Sequence, residues 1–208
     1  MLPPLKSKNI GEGGYEQAGD FQSGSIARAV CFRKKRAYIF REEGIQMNTD
    51  KIMRQELLAL LRGGNAHMTF DDAVSGFPME DINREVPHGN YTVWHLLDHM
   101  RIAQWDILEF VRSPRHVSPE FPGGYWPAPD EQATQAEWEK SVEAFRADLA
   151  AMQQIVENPR IDLLGPIPHA KGYVIFREIL LVADHNAFHV GELVSLRRVF
   201  NMKPVKEY

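Results

Sequence analysis

The chain has 208 residues, of which 44% are hydrophobic and 25% charged, with a formal net charge of −4. That length and composition suit one domain with a sizeable core, and the acidic balance argues against a dedicated nucleic-acid binder. A single cysteine, Cys31, excludes an intrachain disulfide and makes a reducing, cytoplasmic compartment the default expectation.

Residues 1 to 46 carry Gly11, Gly13, Gly14, Gly19 and Gly24, then the basic run Arg33-Lys-Lys-Arg36, with no sustained helical period. Such a run can mark a nucleic-acid or membrane patch, but the chain as a whole is acidic. Met1-Leu-Pro-Pro-Leu-Lys leads into polar sequence without an apolar signal segment, and no stretch is apolar enough to cross a bilayer. Met47 precedes Asn48-Thr49-Asp50, residue types that cap helix N-termini, and a helical pattern follows. The expectation is an N-terminal extension over 1–46, upstream of a true start at Met47, and one domain over 47–208. Mass spectrometry of the native protein checks it, and a mature terminus before Met47 would refute it.

From Met47 on, the pattern is helical. Residues 50 to 63 carry Ile52, Leu57, Leu58 and Leu61 and stop at Gly63-Gly64. A shorter piece is expected over 68–76, before Gly76 and Pro78. After the loop Pro87-His88-Gly89-Asn90, a second long helix covers about 91–112, with Val93, Leu96, Leu97, Met100, Ala103, Ile107 and Phe110 as its apolar stripe. Ser113-Pro114 ends it. Residues 114–130 form a long loop rich in proline and glycine, and Tyr125 and Trp126 within it are read as plugging the edge of the core. Thr134-Gln-Ala-Glu137 fits a capping box that opens a third helix, whose Trp138, Val142, Phe145, Leu149 and Met152 recur at bundle spacing before Asn158-Pro159. After a connector with Gly165-Pro-Ile-Pro168, a fourth helix spans roughly 173–200 with Ile175, Ile179, Val182, Leu193 and Leu196 on its core face. Four long helices and no convincing strand predict an all-α, up-down four-helix bundle.

Two histidine pairs stand on this scaffold, His95-Leu-Leu-Asp-His99 and His185-Asn-Ala-Phe-His189. Residues four apart share a helix face. In the second helix the pair lies on the stripe Thr92, His95, Leu96, His99, Ala103, Asp106, Phe110. In the fourth it lies on Glu178, Val182, His185, His189, Glu192, Leu196. Several neutral imidazoles buried without partners would cost roughly 1–3 kcal/mol each, whereas one cation satisfies them together, and imidazole suits zinc, nickel, iron and copper. With one cysteine in the chain, such a site would rest on histidines and carboxylates. Each histidine could equally be a hydrogen-bonded core or surface residue. His67, His88, His116 and His169 fall near helix ends or in loops and are given no role. There is no H-E-x-x-H, no phosphate loop, and no pair of Glu-x-x-His motifs on facing helices as a di-iron site would need.

Trp94-His-Leu-Leu-Asp-His99-Met-Arg-Ile-Ala-Gln-Trp-Asp-Ile-Leu and Asp184-His185-Asn-Ala-Phe-His189-Val-Gly-Glu-Leu193 resemble the DinB/YfiT-like superfamily of metal-binding four-helix bundles, over about Met47 to Met202. The resemblance implies a triad of metal ligands, His99, His185 and His189. His95 is not a regular ligand position there and becomes either a hydrogen-bonded core residue or a fourth ligand. Glu192 stands where the family usually has Gln or another residue. It shares the histidine face and could orient an imidazole, bind metal, or serve catalysis as a general base; otherwise it pairs with Arg197 or another base. Asp98 and Asp184 are turned about 100° off the ligand face and are expected to be solvated or to pack between helices. Arg101 could meet a substrate anion.

Three neutral ligands leave a cation with an open position, the mark of catalytic rather than closed zinc sites. The resemblance therefore implies a divalent-metal enzyme holding zinc or nickel, with iron or manganese as further candidates. The expected chemistry is thiol-dependent S-transfer, ahead of metal-dependent hydrolysis, on a small-molecule substrate and with a low-molecular-weight thiol. A homodimer is expected, and neither nucleic acid nor membrane as partner. The competing expectation is a non-catalytic, metal-binding or stress-related dimeric module. A fourth protein ligand from His95 or Glu192 would favour it.

Overall fold

The computed structural model describes the backbone of residues 42–202 and the side chains of residues 49–202. Five α-helices follow in order: α1 (Glu42–Arg62), α2 (Phe70–Val74), α3 (Val93–Arg112), α4 (Gln135–Glu157) and α5 (Ile175–Val199). Single 3-10 turns lie at Met79–Asp81 and Gly123–Tyr125, and there is no strand among the described residues, only two isolated bridges. Most of the expected extension, residues 1–41, lies outside the described residues. Asn48-Thr49-Asp50 do not cap α1, which runs through them from Glu42. Capping residue types mark a start only where the preceding residues leave the helix, and here the backbone continues.

The other boundaries follow local chemistry. Thr92 caps α3 with His95 as the reciprocal partner, and Thr134 caps α4 with Glu137 as expected. Thr69 and Asp72 form a third such box on α2. α1 stops at Gly63 and Gly64, with φ of 68° and 81°, a left-handed conformation in which a side chain would be strained.

α3 packs against both α4 and α5, and α1 closes the other side by packing on the same two helices. Asp98 bonds Ser141, and six residues further along α3, Gln104 bonds the carbonyl of Phe145, further along α4. α3 and α4 therefore run the same way. The bundle is all-α as expected, but the simple up-down alternation is corrected: the long 113–134 connection, not a tight turn, joins these two helices. The connection over 113–134 makes this arrangement feasible by returning the chain to the starting end before α4 begins. α5 runs opposite to α3.

The core has two main apolar clusters. One joins Val93, Leu97 and Met100 of α3 to Phe145 and Leu193 and is covered by α2, whose Phe70 stacks on Phe145 at 3.8 Å. The other joins Leu57 and Leu61 of α1 to Leu108, Met152, Ile179 and Val182. Each fully buried large side chain contributes about 1.5–3 kcal/mol. A polar crossing spans the bundle: fully buried Gln104 donates to Phe145 O and accepts from Asn186 Nδ2 at 2.8 Å. Arg54 fastens α1 by donating to the carbonyls of Val156, Asn158 and Ile161, which are acceptors left over at the end of α4 and just beyond it.

Candidate metal centre

The antiparallel pairing of α3 and α5 sets His99 opposite His185 and His189. One ring nitrogen from each lies within 4.8 Å of the other two. His99 and His189 are buried and His185 is half-buried. His99 Nε2 and His185 Nε2 are 3.1 Å apart, close to the separation of about 3.3 Å between two nitrogens on one tetrahedral zinc ion.

The remaining ring atoms decide what these nitrogens can do. His99 Nδ1 is 2.8 Å from the carbonyl of Tyr125, which can only accept, so Nδ1 carries the proton and a neutral ring leaves Nε2 bare. His189 Nδ1 donates to Glu192 Oε2 at 2.7 Å, which likewise bares its Nε2. Glu192 is fixed in turn by the Tyr91 hydroxyl, which donates to Oε1 at 2.5 Å. The hydrogen bond from His189 holds the Glu192 carboxyl below its ordinary pKa, outweighing burial, while burial and the carboxylate together raise Tyr91 to about 12. His185 Nδ1 is buried without a hydrogen-bond partner. That orphan has a simple origin. Facing the bare Nε2 of His99, a neutral His185 must donate from its own Nε2, which strips Nδ1. A cation between the rings removes that constraint, so the donor set fits a divalent metal.

Burial and the two neighbouring imidazoles push His185 down to about 3, and burial also lowers His99. Both rings are therefore neutral at ordinary pH, the form that binds metal.

The cluster lies at one end of a cavity of about 290 Å³ between α3, α5 and the 113–134 connection. Its walls are largely apolar, with Ala103, Ile107, Phe110, Phe121, Tyr125, Trp126, Tyr173 and Leu181. Trp126 stacks flat on the His99 ring, 3.9 Å away and 2° from parallel. Tyr125 and Trp126 thus do more than plug the core edge. One orients His99 through its carbonyl and the other lies on its face. The loop carrying them is fastened by buried Asp106, which accepts from His116 Nε2 and the Tyr125 hydroxyl, each at 2.6 Å.

The structure separates the sequence candidates. His99, His185 and His189 come together and His95 does not. Its Nδ1 accepts from Thr92 N in the α3 cap, and its Nε2 lies 2.8 Å from the Glu131 carbonyl, so the fourth-ligand reading is corrected: both ring nitrogens are spent elsewhere. Glu192 sits behind His189 and does not pair with Arg197, which reaches the carbonyls of Ala73 and Ser75 instead. Asp98 packs between helices, held by Arg101 and Ser141, and Asp184 is exposed. The ion pair with Asp98 also removes Arg101 from the cavity. Tyr91, His116 and the Tyr125 carbonyl escape sequence reasoning because they lie outside the helical stripes. Asp106 and Glu178 were visible on the stripes, but nothing in the pattern distinguished them from ordinary helix positions.

No curated protein and no solved structure matches the chain. The sequence pattern of the DinB superfamily matches residues 64–193, more than half of the chain, and that span contains all three clustered histidines and their carboxylate and carbonyl supports. The bundle and the match agree, and the chain belongs to the DinB superfamily.

Proposed function

We propose that this protein is a divalent-metal-dependent enzyme that holds zinc or nickel, ahead of iron or manganese, on His99, His185 and His189. Its leading reaction is transfer of a low-molecular-weight thiol to a small-molecule electrophile. One observation carries the reading: three ring nitrogens converge at the end of an apolar cavity, with no fourth protein ligand grouped with them among the described residues. A purely structural site would be closed. The metal, when bound, supplies Lewis acidity that lowers the pKa of a thiol or water.

The chain's own groups do the rest. The Tyr125 carbonyl and Glu192 hold the rings of His99 and His189 in the tautomer that presents Nε2. Glu192 is in this reading a positioning residue, acting through His189. Phe110, Phe121, Tyr173 and Leu181 keep water from the reacting groups.

Thiol transfer leads hydrolysis because a free thiol ionises near about pH 8.5, far below water, so a bound cation has much less to do, and the carboxylates of Asp106 and Glu192, which could assist a water, are engaged. Asp106 has both oxygens occupied, and Glu192 likewise. A thiol needs only an electropositive site to ionise.

Incubating metal-loaded protein with low-molecular-weight thiols and an electrophile panel is the direct test. Metal-dependent consumption of both reactants is expected, and no turnover with any thiol overturns the proposal. Elemental analysis tests the site itself: His99→Ala and His189→Ala should each lose the metal that the wild type retains, and unchanged content in both dismantles the assignment. No helix among the described residues is long and apolar enough to cross a membrane. In this reading the working form is a cytoplasmic homodimer, and sedimentation as a monomer at micromolar concentration would remove that part.

A further inference from the structure

The cavity has a second polar end that the histidines do not use. Glu178 lines it and is only 3% exposed, a carboxylate held in apolar surroundings beside Tyr173 and Leu181. Its one hydrogen-bonded partner among the described residues is Arg177, whose Nη1 donates to Oε1 at 2.6 Å. The second oxygen, Oε2, accepts from no described residue and is not among the sealed-off polar atoms, so it keeps access to the cavity. A carboxylate offers about four acceptor positions, which leaves this oxygen room for a further donor. Asp106, the other carboxylate on the wall, is by contrast used up by His116 and Tyr125. Arg177 is 45% exposed at the side chain, lies 5.2 Å from the Tyr173 ring centroid, and keeps further N–H groups free for an anion.

We infer that Arg177 and Glu178 form a subsite for a zwitterionic amino-carboxylate group, the ammonium on Glu178 Oε2 and the carboxylate on Arg177. The pair is neutral as a whole, so a neutral zwitterion adds no net charge to an apolar cavity, whereas a lone ammonium meets Arg177 and a lone carboxylate meets Glu178. Glu178 precedes His185 by seven residues on one face of α5, an axial distance of about 10 Å. The ligand class is therefore an amino acid or small peptide-like molecule, with an apolar stretch between its zwitterionic end and its reacting atom. This names the substrate class for the thiol-handling cavity proposed above and rests on that reading for its biological use, but its binding chemistry is separately testable.

The experiment uses the metal-free protein and calorimetric titration with three probes of one tail length: 2-aminooctanoic acid, octanoic acid and heptan-1-amine. The zwitterion should bind at least tenfold more tightly than either single-charge probe. Glu178→Gln and Arg177→Gln should each weaken it about tenfold, while Arg146→Gln, on α4 and outside the cavity wall, leaves it unchanged. Equal affinity for octanoate, no binding by any probe, or indifference to both substitutions overturns the subsite. The comparison among probes on the wild type stands even where a variant fails to fold. Probe binding without any metal-dependent thiol chemistry would sink the proposed reaction and leave the subsite; thiol turnover without probe selectivity would do the reverse.

Discussion

Glu192 shows how one side chain can govern a site without standing in it. It accepts the Nδ1 proton of His189 with one oxygen and the Tyr91 hydroxyl with the other. Groups that orient a ligand imidazole are typically worth about 10–100-fold in metal affinity. Glu192→Ala should lose that much in a chelator competition. Glu192→Gln should keep most of it, because an amide oxygen still accepts the Nδ1 proton; equal losses in the two variants would refute positioning. Protonation supplies another check. His99 and His185 have lowered pKa values in the fold. Above about pH 6.5 they are neutral in both folded and unfolded chains. Below that, the unfolded chain takes up protons the folded one refuses, so stability falls as pH drops from about 6.5 towards 3. The urea midpoint of metal-free protein should follow that course, and His185→Leu should flatten it. The three clustered histidines were legible because they lie at helical spacing or match the family motif. Tyr91 and the Tyr125 carbonyl were not, because a contact made by a loop or a backbone atom leaves no period in the sequence.

At the level of the element, the same limit recurs. α3, α4 and α5 could be read almost to their ends, since each begins after an extended residue and carries a regular apolar stripe, and Thr134 announced α4 outright. The beginning of α1 was misplaced because Asn48 and Thr49 are good caps wherever a helix happens to start, and here they lie inside one. The 113–134 connection was legible only as a loop. That it brings α4 parallel to α3, clamps His99 and walls the cavity depends on long-range partners such as Asp106 with His116. His95 belongs to this level too. It completes the α3 cap and ties the connection down at Glu131. His95→Ala should therefore cost roughly 1–3 kcal/mol in chemical denaturation while leaving metal content intact. Loss of metal with stability unchanged would return it to the ligand set.

Across the whole molecule, the candidate ligands come from α3 and α5, and one of them is held by the connection. A cation there would join three parts of the chain that otherwise touch through side-chain packing and a few hydrogen bonds. Binding only to the folded state stabilises it by about 2.7 kcal/mol at a hundredfold excess over the dissociation constant. Chelation should accordingly lower the melting temperature of metal-loaded protein, and His99→Ala should melt at one temperature with or without chelator. The indole lying 3.9 Å over His99 adds a consequence of another kind. Trp126 is one of four tryptophans in the chain, and it alone lies flat against a ring of the cluster. An open-shell ion such as nickel or cobalt on those nitrogens would drain its excited state, so the ultraviolet emission of the unlabelled protein should dim as the ion arrives and brighten as it leaves. Trp126→Phe would make the protein blind to that exchange, and the occupancy of the centre becomes something that can be watched in real time by light.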